Sequence, residues 1–141
     1  MKKLLSLLLV CCLFGCASEK TTVCKLESNT MKITNTLVSK NDKVLKQTNM
    51  NELNYIQFGY NKDSITVIAN NYQTVYGQVG VEYSYTIDDT YLKETVVVDY
   101  QNADFEKLAS VGLIQSSSKN IKFVSLETTL DSYKDQGFTC K

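Results

Sequence analysis

Histidine, arginine, tryptophan and proline are all missing from this chain of 141 residues, and each of its 15 basic side chains is a lysine. Without histidine there is no Ser-His-Asp or Cys-His nucleophile pair, no imidazole metal ligand, and no side chain whose ordinary pKa lies near neutrality. Without arginine, no guanidinium can bind phosphate or carboxylate groups in a bidentate manner. Much familiar enzyme chemistry is therefore excluded.

The chain also has no excess of charge, since its 15 lysines balance 15 acidic residues that are spread along it. No basic tract indicates nucleic acid or an anionic lipid surface, so we expect no nucleic-acid partner. Asp88, Asp89 and Asp99 supply hard oxygen atoms, but the spacing of a calcium loop with its central glycine is missing. We expect these acids to be solvated turn residues, and we predict no metal site and no cofactor.

The amino end carries a pattern typical of exported proteins. Lys2 and Lys3 precede an apolar run of eleven residues, 4–14, that only Ser6 interrupts. A short basic region followed by such a run is typical of a signal peptide. In helical form the run spans about 16 Å, well short of the roughly 30 Å hydrocarbon core of a bilayer. We therefore predict that residues 1–15 are removed.

The apolar run ends in Leu13-Phe14-Gly15-Cys16, which resembles the bacterial lipobox, where a small residue precedes a cysteine linked to diacylglycerol. We predict cleavage after Gly15 and lipidation of Cys16. Because two acyl chains anchor a protein stably, the lipid bilayer is the first expected partner. The expected location is the extracytoplasmic side of the cell membrane. The alternative is an ordinary secretory signal that is cleaved without lipidation.

Cleavage at this point leaves residues 16–141, and these 126 residues suit one domain with a modest core. Residues 16–21 are polar and show no periodicity, so we assign them to a lipidated tether. Residues 22–141 are then predicted to form a single domain.

Two further cysteines lie near the ends of this domain, Cys24 and Cys140. In an exported protein such a pair tends to be oxidised, so we predict a disulfide. The bond would close a loop of 117 residues, which stabilises a fold by roughly 5 kcal/mol in the chain-entropy model. Two free thiols are the alternative. A redox site is not expected, because catalytic pairs usually have a Cys-x-x-Cys spacing.

Alternating apolar and polar residues predict two β-hairpins. Residues 22–27 and 31–39 read as strands, and 44–50 returns antiparallel after a turn at 40–43, although Asn35 breaks the apolar face of the second strand. Residues 81–87 and 92–100 alternate more clearly around a turn at 88–90.

The spacing predicts two or three helices packed on these strands. A helical stripe begins after residue 61, with Asp63 or Ser64 as its cap, and comprises Ile65, Ile68, Tyr72, Val75, Tyr76 and Val79. A short helix is predicted over 103–111. A polar loop at 115–120 and a brief strand at 121–124 precede a last helix, capped by Ser125 and ended by Gly137. This arrangement indicates the α+β class with an antiparallel sheet.

Three side chains allow two interpretations each. Glu94 falls on the apolar side of its strand, so it lies at the sheet edge or is paired; the alternative is a functional carboxylate with a raised pKa. Tyr72 and Tyr76 are core residues by their helical spacing, and a ligand-stacking platform is the alternative.

The combined features resemble those of a known family. The chain resembles the YehR-like small bacterial lipoproteins in four features. These are the signal with its lipobox, a cysteine a few residues into the mature chain, the strand-helix-hairpin-helix order, and the closing segment Tyr133-Lys134-Asp135-Gln136-Gly137-Phe138-Thr139-Cys140-Lys141. That family is described as lipoproteins of unassigned function. The resemblance implies the anchor, an α+β domain and a Cys24 to Cys140 link, and it supplies no catalytic residues.

Two functions from different classes remain open. We favour a non-catalytic envelope module, not an enzyme, that binds a protein, peptide or polysaccharide through its exposed sheet and loops. The alternative is a small cell-envelope hydrolase that uses serine, lysine and carboxylate side chains, since serine-lysine pairs work without histidine.

The anchor gives the first testable prediction. We expect a Cys16→Ser protein to lack the acyl mass and to mature and partition differently from the wild type, because serine has no sulfur to form the thioether. Intact-mass analysis of the membrane fraction measures the change, with Cys12→Ser as a control that stays lipidated. Identical processing and partitioning of the Cys16→Ser protein would contradict lipidation.

Overall fold

The computed structural model of the chain describes residues 18–114 and 121–141. The predicted signal peptide, the predicted lipidation site Cys16 and the polar loop predicted at 115–120 lie outside the described residues. Ten elements follow one another in the described part: β1 (Lys20–Glu27), β2 (Met31–Lys40), β3 (Lys43–Asn54), α1 (Lys62–Gln78), β4 (Glu82–Ile87), β5 (Tyr91–Asp99), α2 (Phe105–Ser110), β6 (Val124–Ser125), α3 (Leu126–Asp135) and β7 (Thr139–Cys140).

The strands form one antiparallel sheet in the order β4-β5-β3-β2-β1-β7, and β6 pairs with the start of β3. Both predicted hairpins are present, as β2-β3 and β4-β5. The pairing of β3 with β5 joins them, so the sheet is continuous rather than divided into two separate units. The predicted antiparallel sheet accompanied by helices is confirmed.

Three strand boundaries differ from the prediction by two residues or more. β1 begins two residues early, because Lys20 and Thr21, assigned to the tether, already pair with β2. β3 continues to Asn54 instead of ending at residue 50, because it pairs on both sides along residues 51–53. The brief strand predicted at 121–124 is instead Val124–Ser125, because its pairing with β3 is confined to these two residues.

The helices and the hydrophobic core lie on one side of the sheet, which we call the covered face. Strand residues that alternate inward form its centre together with Leu108 of α2. The main buried cluster consists of Leu37, Val44, Val81, Tyr83, Val96, Val98, Tyr100 and Leu108. A second cluster joins Ile65 and Ala69 of α1 to Tyr55 and Leu92. These clusters account for the apolar alternation seen in the sequence.

Asn35 lies on the covered face instead of interrupting it. Its side chain is 4 % exposed and stands in register with Asn49 on β3 and with Cys24 on β1. The Oδ1 atom of Asn35 has no hydrogen-bond partner within the described residues. The buried and partly exposed residues of β2 therefore still alternate at Asn35, although this buried residue is polar.

Helix α1 begins with a capping box. The Asn61 side chain accepts a hydrogen bond from the Ser64 backbone N–H at 2.8 Å, and the Ser64 hydroxyl accepts one from the Asn61 N–H at 3.1 Å. The predicted cap at Asp63 or Ser64 is therefore wrong by two or three residues, since Ser64 is the third helical residue and Asn61 is the cap.

The carboxyl-terminal helix has the predicted limits. The Ser125 side chain accepts from the Thr128 N–H and caps α3, and Gly137, with a φ of 88°, follows its end. A second backbone N–H at the start of α3, that of Glu127, donates a hydrogen bond at 2.9 Å to the side chain of Asp42 in the β2-β3 turn. That hydrogen bond lowers the pKa of Asp42. The first hairpin thus holds the start of α3.

A disulfide joins Cys24 to Cys140, with a distance of 4.0 Å between their Cα atoms. These residues stand opposite each other where β7 pairs with β1. Reciprocal backbone hydrogen bonds between Val23 and Lys141, at 2.8 and 2.9 Å, extend the pairing by one step. The last residues of the chain are therefore fixed at the sheet edge.

No helix within the described ranges is long and apolar enough to cross a membrane.

Loss of the disulfide gives a stability prediction. We expect a Cys24→Ala/Cys140→Ala double variant to lose up to about 5 kcal/mol in free energy of unfolding, because the unfolded chain regains loop entropy. Urea denaturation measures this loss. Wild type treated with a reductant is the companion sample, and a change below about 1 kcal/mol in both would contradict the structural role.

Candidate functional site

The side of the sheet opposite the helices, which we call the open face, holds the candidate site. Its residues alternate with those of the covered face on three central strands, and none of them is buried. They are Lys32, Thr34 and Thr36 on β2, Thr48, Met50 and Glu52 on β3, and Lys93, Thr95 and Val97 on β5.

A row of alternating charges crosses this face. Glu52 lies between two lysines, with its carboxylate oxygens 3.9 Å from the Lys32 Nζ and 3.5 Å from the Lys93 Nζ. All three side chains are partly solvated, so these pairs contribute little to stability. The charges therefore remain available to a partner.

A shallow depression of about 370 Å³ lies beside this row. Its walls include the charged row, Glu27 on β1 and the hydroxyl side chains of the neighbouring strands. Met50 lines the depression and is 57 % exposed. A large apolar side chain surrounded by polar groups is the arrangement found in many protein interfaces.

The turn from β3 to α1 adds more exposed apolar surface. Ile56, Phe58 and Tyr60 are 51, 51 and 42 % exposed. The turn is nevertheless fixed, because Tyr55 is fully buried and its hydroxyl donates to the Asp88 carbonyl oxygen at 2.8 Å. These side chains are thus presented on an anchored backbone.

Both features lie at the end of the sheet away from Lys20. β1 runs about 25 Å from Lys20 to Glu27, and Glu27 pairs with Lys32, the β2 residue of the charged row. The exposed turn follows Asn54, whose backbone N–H donates to the Thr30 carbonyl at this same end. We call it the distal end, and the end at Lys20 the tether end.

Glu94 is paired and does not lie at an edge. Its strand, β5, stands between β3 and β4, so the predicted edge position is wrong and the predicted pairing is confirmed. The carboxylate accepts hydrogen bonds from Asn51 Nδ2 at 2.9 Å and from the Tyr83 hydroxyl at 2.7 Å. Burial, together with the bond to Glu94, raises the pKa of Tyr83 above its usual value. This acid therefore has a structural explanation.

The helical tyrosines belong mainly to the core. Tyr76 is half-buried and packs against Tyr83, with ring centroids 5.6 Å apart. Tyr72 stacks on Tyr76 at 5.5 Å and stays 43 % exposed. The core interpretation holds for Tyr76, whereas Tyr72 lies at its margin.

The acids considered for metal binding have roles in turns. Asp88 accepts from the backbone N–H groups of Thr90 and Tyr91, and these hydrogen bonds lower its pKa. Asp89 pairs with Lys62 at 3.1 Å, and Asp99 bonds to the residues that follow it. In residues 18–114 and 121–141, no three potential ligands are close enough to hold a metal ion.

The residues of the hydrolase alternative are not brought together in the described part. There, the one hydrogen bond that a lysine side chain donates goes from Lys62 to Asp89. The single Ser-x-x-Lys spacing in the sequence, Ser116 to Lys119, lies outside the described residues.

Sequence reasoning missed Lys32, Met50, Glu52 and Lys93 as a group. The alternation on β2 and β5 places Lys32 and Lys93 outward, which was an available signal. For Met50 and Glu52 the alternation gives no such signal. The neighbouring inward residues of β3, Asn49 and Asn51, are also polar, so apolar and polar positions do not alternate there. Their approach to one another depends on the register of three strands.

The buried tyrosine gives a pH prediction. Because the pKa of Tyr83 is raised in the folded state, that state keeps the proton above about pH 10, where the unfolded chain loses it. The free energy of unfolding should therefore fall as the pH rises above about 10. Denaturation at several pH values should show a shallower fall in Tyr83→Phe and an unchanged fall in the exposed control Tyr60→Phe. Equal slopes in all three proteins would contradict this.

Comparison with known proteins places the chain in a family. Residues 20–139 match the family described as protein of unknown function (DUF1307). The chain is 32 % identical over 117 residues to the uncharacterized lipoprotein YehR of Escherichia coli (strain K12), a match that covers 81 % of this chain and 76 % of that protein.

Two NMR structures have a similar fold. The E. coli YehR protein matches with a TM-score of 0.72 and 27 % identity, over 88 % of this chain and 91 % of that chain. A protein from Streptococcus pneumoniae TIGR4 has a TM-score of 0.58 and 15 % identity over 100 % of this chain and 96 % of that one, which is a likeness of fold alone. This chain therefore belongs to the DUF1307 family of proteins of unknown function, and the predicted kinship with the YehR-like lipoproteins is confirmed.

Proposed function

We propose that this protein is a lipid-anchored, non-catalytic module on the extracytoplasmic side of the cell membrane that binds an envelope protein through its distal end. The observation that carries the proposal is the concentration of exposed apolar and charged side chains at that end, opposite Lys20, the first residue of β1. The ligand is expected to contact both the depression on the open face and the β3-α1 turn.

The anchor is supported by the sequence and by kinship. The basic and apolar segments before Cys16 have the order of a signal with a lipobox. The E. coli relative carries the name of a lipoprotein. Two acyl chains on Cys16 would hold the domain at the bilayer without a spanning helix.

The length of the tether supports the direction in which the site faces. Residues 16–19 precede β1, and four extended residues reach at most about 14 Å. Lys20 is thereby held near the bilayer, and the distal end lies about 25 Å further away along β1 when the strand is upright. A site at that end is accessible to a partner in the envelope.

The chemistry of the distal end supports a protein partner. Met50, Ile56 and Phe58 are each more than half exposed, and large apolar side chains are costly to expose to water. The Lys32-Glu52-Lys93 row lines the same depression as Met50 and supplies charged groups for polar contacts with a partner. Protein-protein interfaces typically contain exposed apolar side chains at their centre and polar side chains around them. A polysaccharide ligand is the alternative outcome of the test below.

Site-specific photo-crosslinking in living cells tests the proposal. A benzophenone amino acid at Met50 or Phe58 should yield a discrete crosslinked product. The same amino acid at Val67, which is 68 % exposed on α1, is the matched control and should yield little. Lys32→Glu/Lys93→Glu should lower the yield at position 50 several-fold, because the row then carries three negative charges in place of one negative charge between two positive ones. Equal yields at positions 50 and 67 would refute a distal site, and a product sensitive to glycosidase but not to protease would refute a protein partner.

A further inference from the structure

A second cavity, of about 490 Å³, lies on the covered face between α3 and the start of β3. Its volume falls within the range of small-molecule sites. One wall is apolar and consists of Leu113, Ile114, Ile121, Phe123 and Val124. The other wall carries hydroxyl groups of α3 and its cap, namely Ser125, Thr128, Thr129 and Ser132. The two walls give the cavity one apolar and one polar side.

Three polar side chains at the cavity form a directional hydrogen-bond chain. The Tyr100 hydroxyl donates to Gln47 Oε1 at 2.9 Å. Gln47 Nε2 donates to the Tyr133 hydroxyl oxygen at 2.9 Å and to Asn49 Oδ1 at 2.7 Å. Tyr133 therefore accepts in this chain, and within the described residues its own proton has no acceptor. Burial raises the pKa of Tyr133, so the group stays protonated.

The lining determines which ligand head group fits. Among the residues that the structure describes, no lysine, aspartate or glutamate lines the cavity, so an ionic head group would find no countercharge in that part of the lining. An unused tyrosine proton instead favours a neutral carbonyl or hydroxyl oxygen. The apolar wall favours a hydrocarbon chain on the same molecule.

The cavity lies at the tether end of the sheet. β6, which contributes Val124 and Ser125, pairs with Lys43 and Val44, and Val44 is in register with Ser39. Ser39 in turn pairs with Lys20, the first residue of β1. Phe123, 44 % exposed, lines the cavity, and the Lys43 Nζ lies 5.6 Å from the centroid of its ring. Aromatic and lysine side chains of this kind suit a membrane interface.

We infer that this cavity binds the hydrocarbon chain of a neutral single-chain lipid, such as a monoacylglycerol, whose carbonyl or hydroxyl oxygen accepts a hydrogen bond from the Tyr133 hydroxyl. The binding chemistry stands on the cavity itself. The bilayer as the source of the lipid rests on the proposed anchor, which would keep the tether end close to the membrane.

The test uses the full chain reconstituted in phosphatidylcholine vesicles that contain a monoacylglycerol with a diazirine in its chain. After irradiation, mass spectrometry should find the label on the apolar wall, at Leu113, Ile114 or Phe123. Ser132→Trp, which fills the cavity from α3, should lower this labelling at least fivefold. Its neighbour Asp131→Trp, outside the lining, should not. Tyr133→Phe should lower it roughly three- to tenfold through the lost hydrogen bond, with the thermal midpoint measured to verify folding.

The outcomes separate this inference from the anchor. Cys16→Ser protein should be labelled in solution at the same wall, even where it no longer binds vesicles. Label spread evenly over the surface, or unaffected by Ser132→Trp, would overturn the inference. An uncharged apolar peptide that competes better than unlabelled monoacylglycerol would also overturn it, in favour of a peptide site.

Discussion

The pairing of β3 on both of its sides is the interaction on which the rest of the structure depends. β3 bonds to β2 along one side and to β5 along the other, and thereby fuses two hairpins into one sheet. The first residues of β3 also receive β6, which leads into α3. One central strand thus joins the two hairpins and fixes the segment that leads into α3.

The inward side chains of β3 make this pairing specific. Gln47, Asn49 and Asn51 occupy positions where apolar residues are usual, and Gln47 and Asn51 find hydrogen-bond partners contributed by other elements. A buried amide without a partner is costly, so a shift of register by one residue would be strongly disfavoured. The same residues reach Tyr133 near the tether end and Glu94 nearer the distal end. The polar interior thereby links the two regions with proposed binding roles.

The molecule is polarised along its strands. At the tether end, the amphipathic cavity and Phe123 lie near Lys20, the first residue of β1. At the distal end, exposed apolar side chains and a charge row lie on the open face. The disulfide between Cys24 and Cys140 fixes the last strand to β1.

The sequence by itself determined the elements whose signals are local. Alternation predicted both hairpins, Ser125 and Gly137 marked the limits of α3, and the two cysteines indicated the disulfide. Each of these signals lies within a few residues or depends on a residue type with one dominant use. The antiparallel α+β class followed from the order of such elements.

Only the tertiary structure decided what depends on register between distant strands. The inward positions of β3 are polar, so periodicity did not reveal its full length or its central place. Glu94 looked like an edge residue because its partners, Asn51 and Tyr83, are 43 and 11 residues away. The charge row and the cavity likewise combine residues from three or more segments. A local sequence pattern cannot predict contacts of this kind, because they depend on how distant strands align and pack.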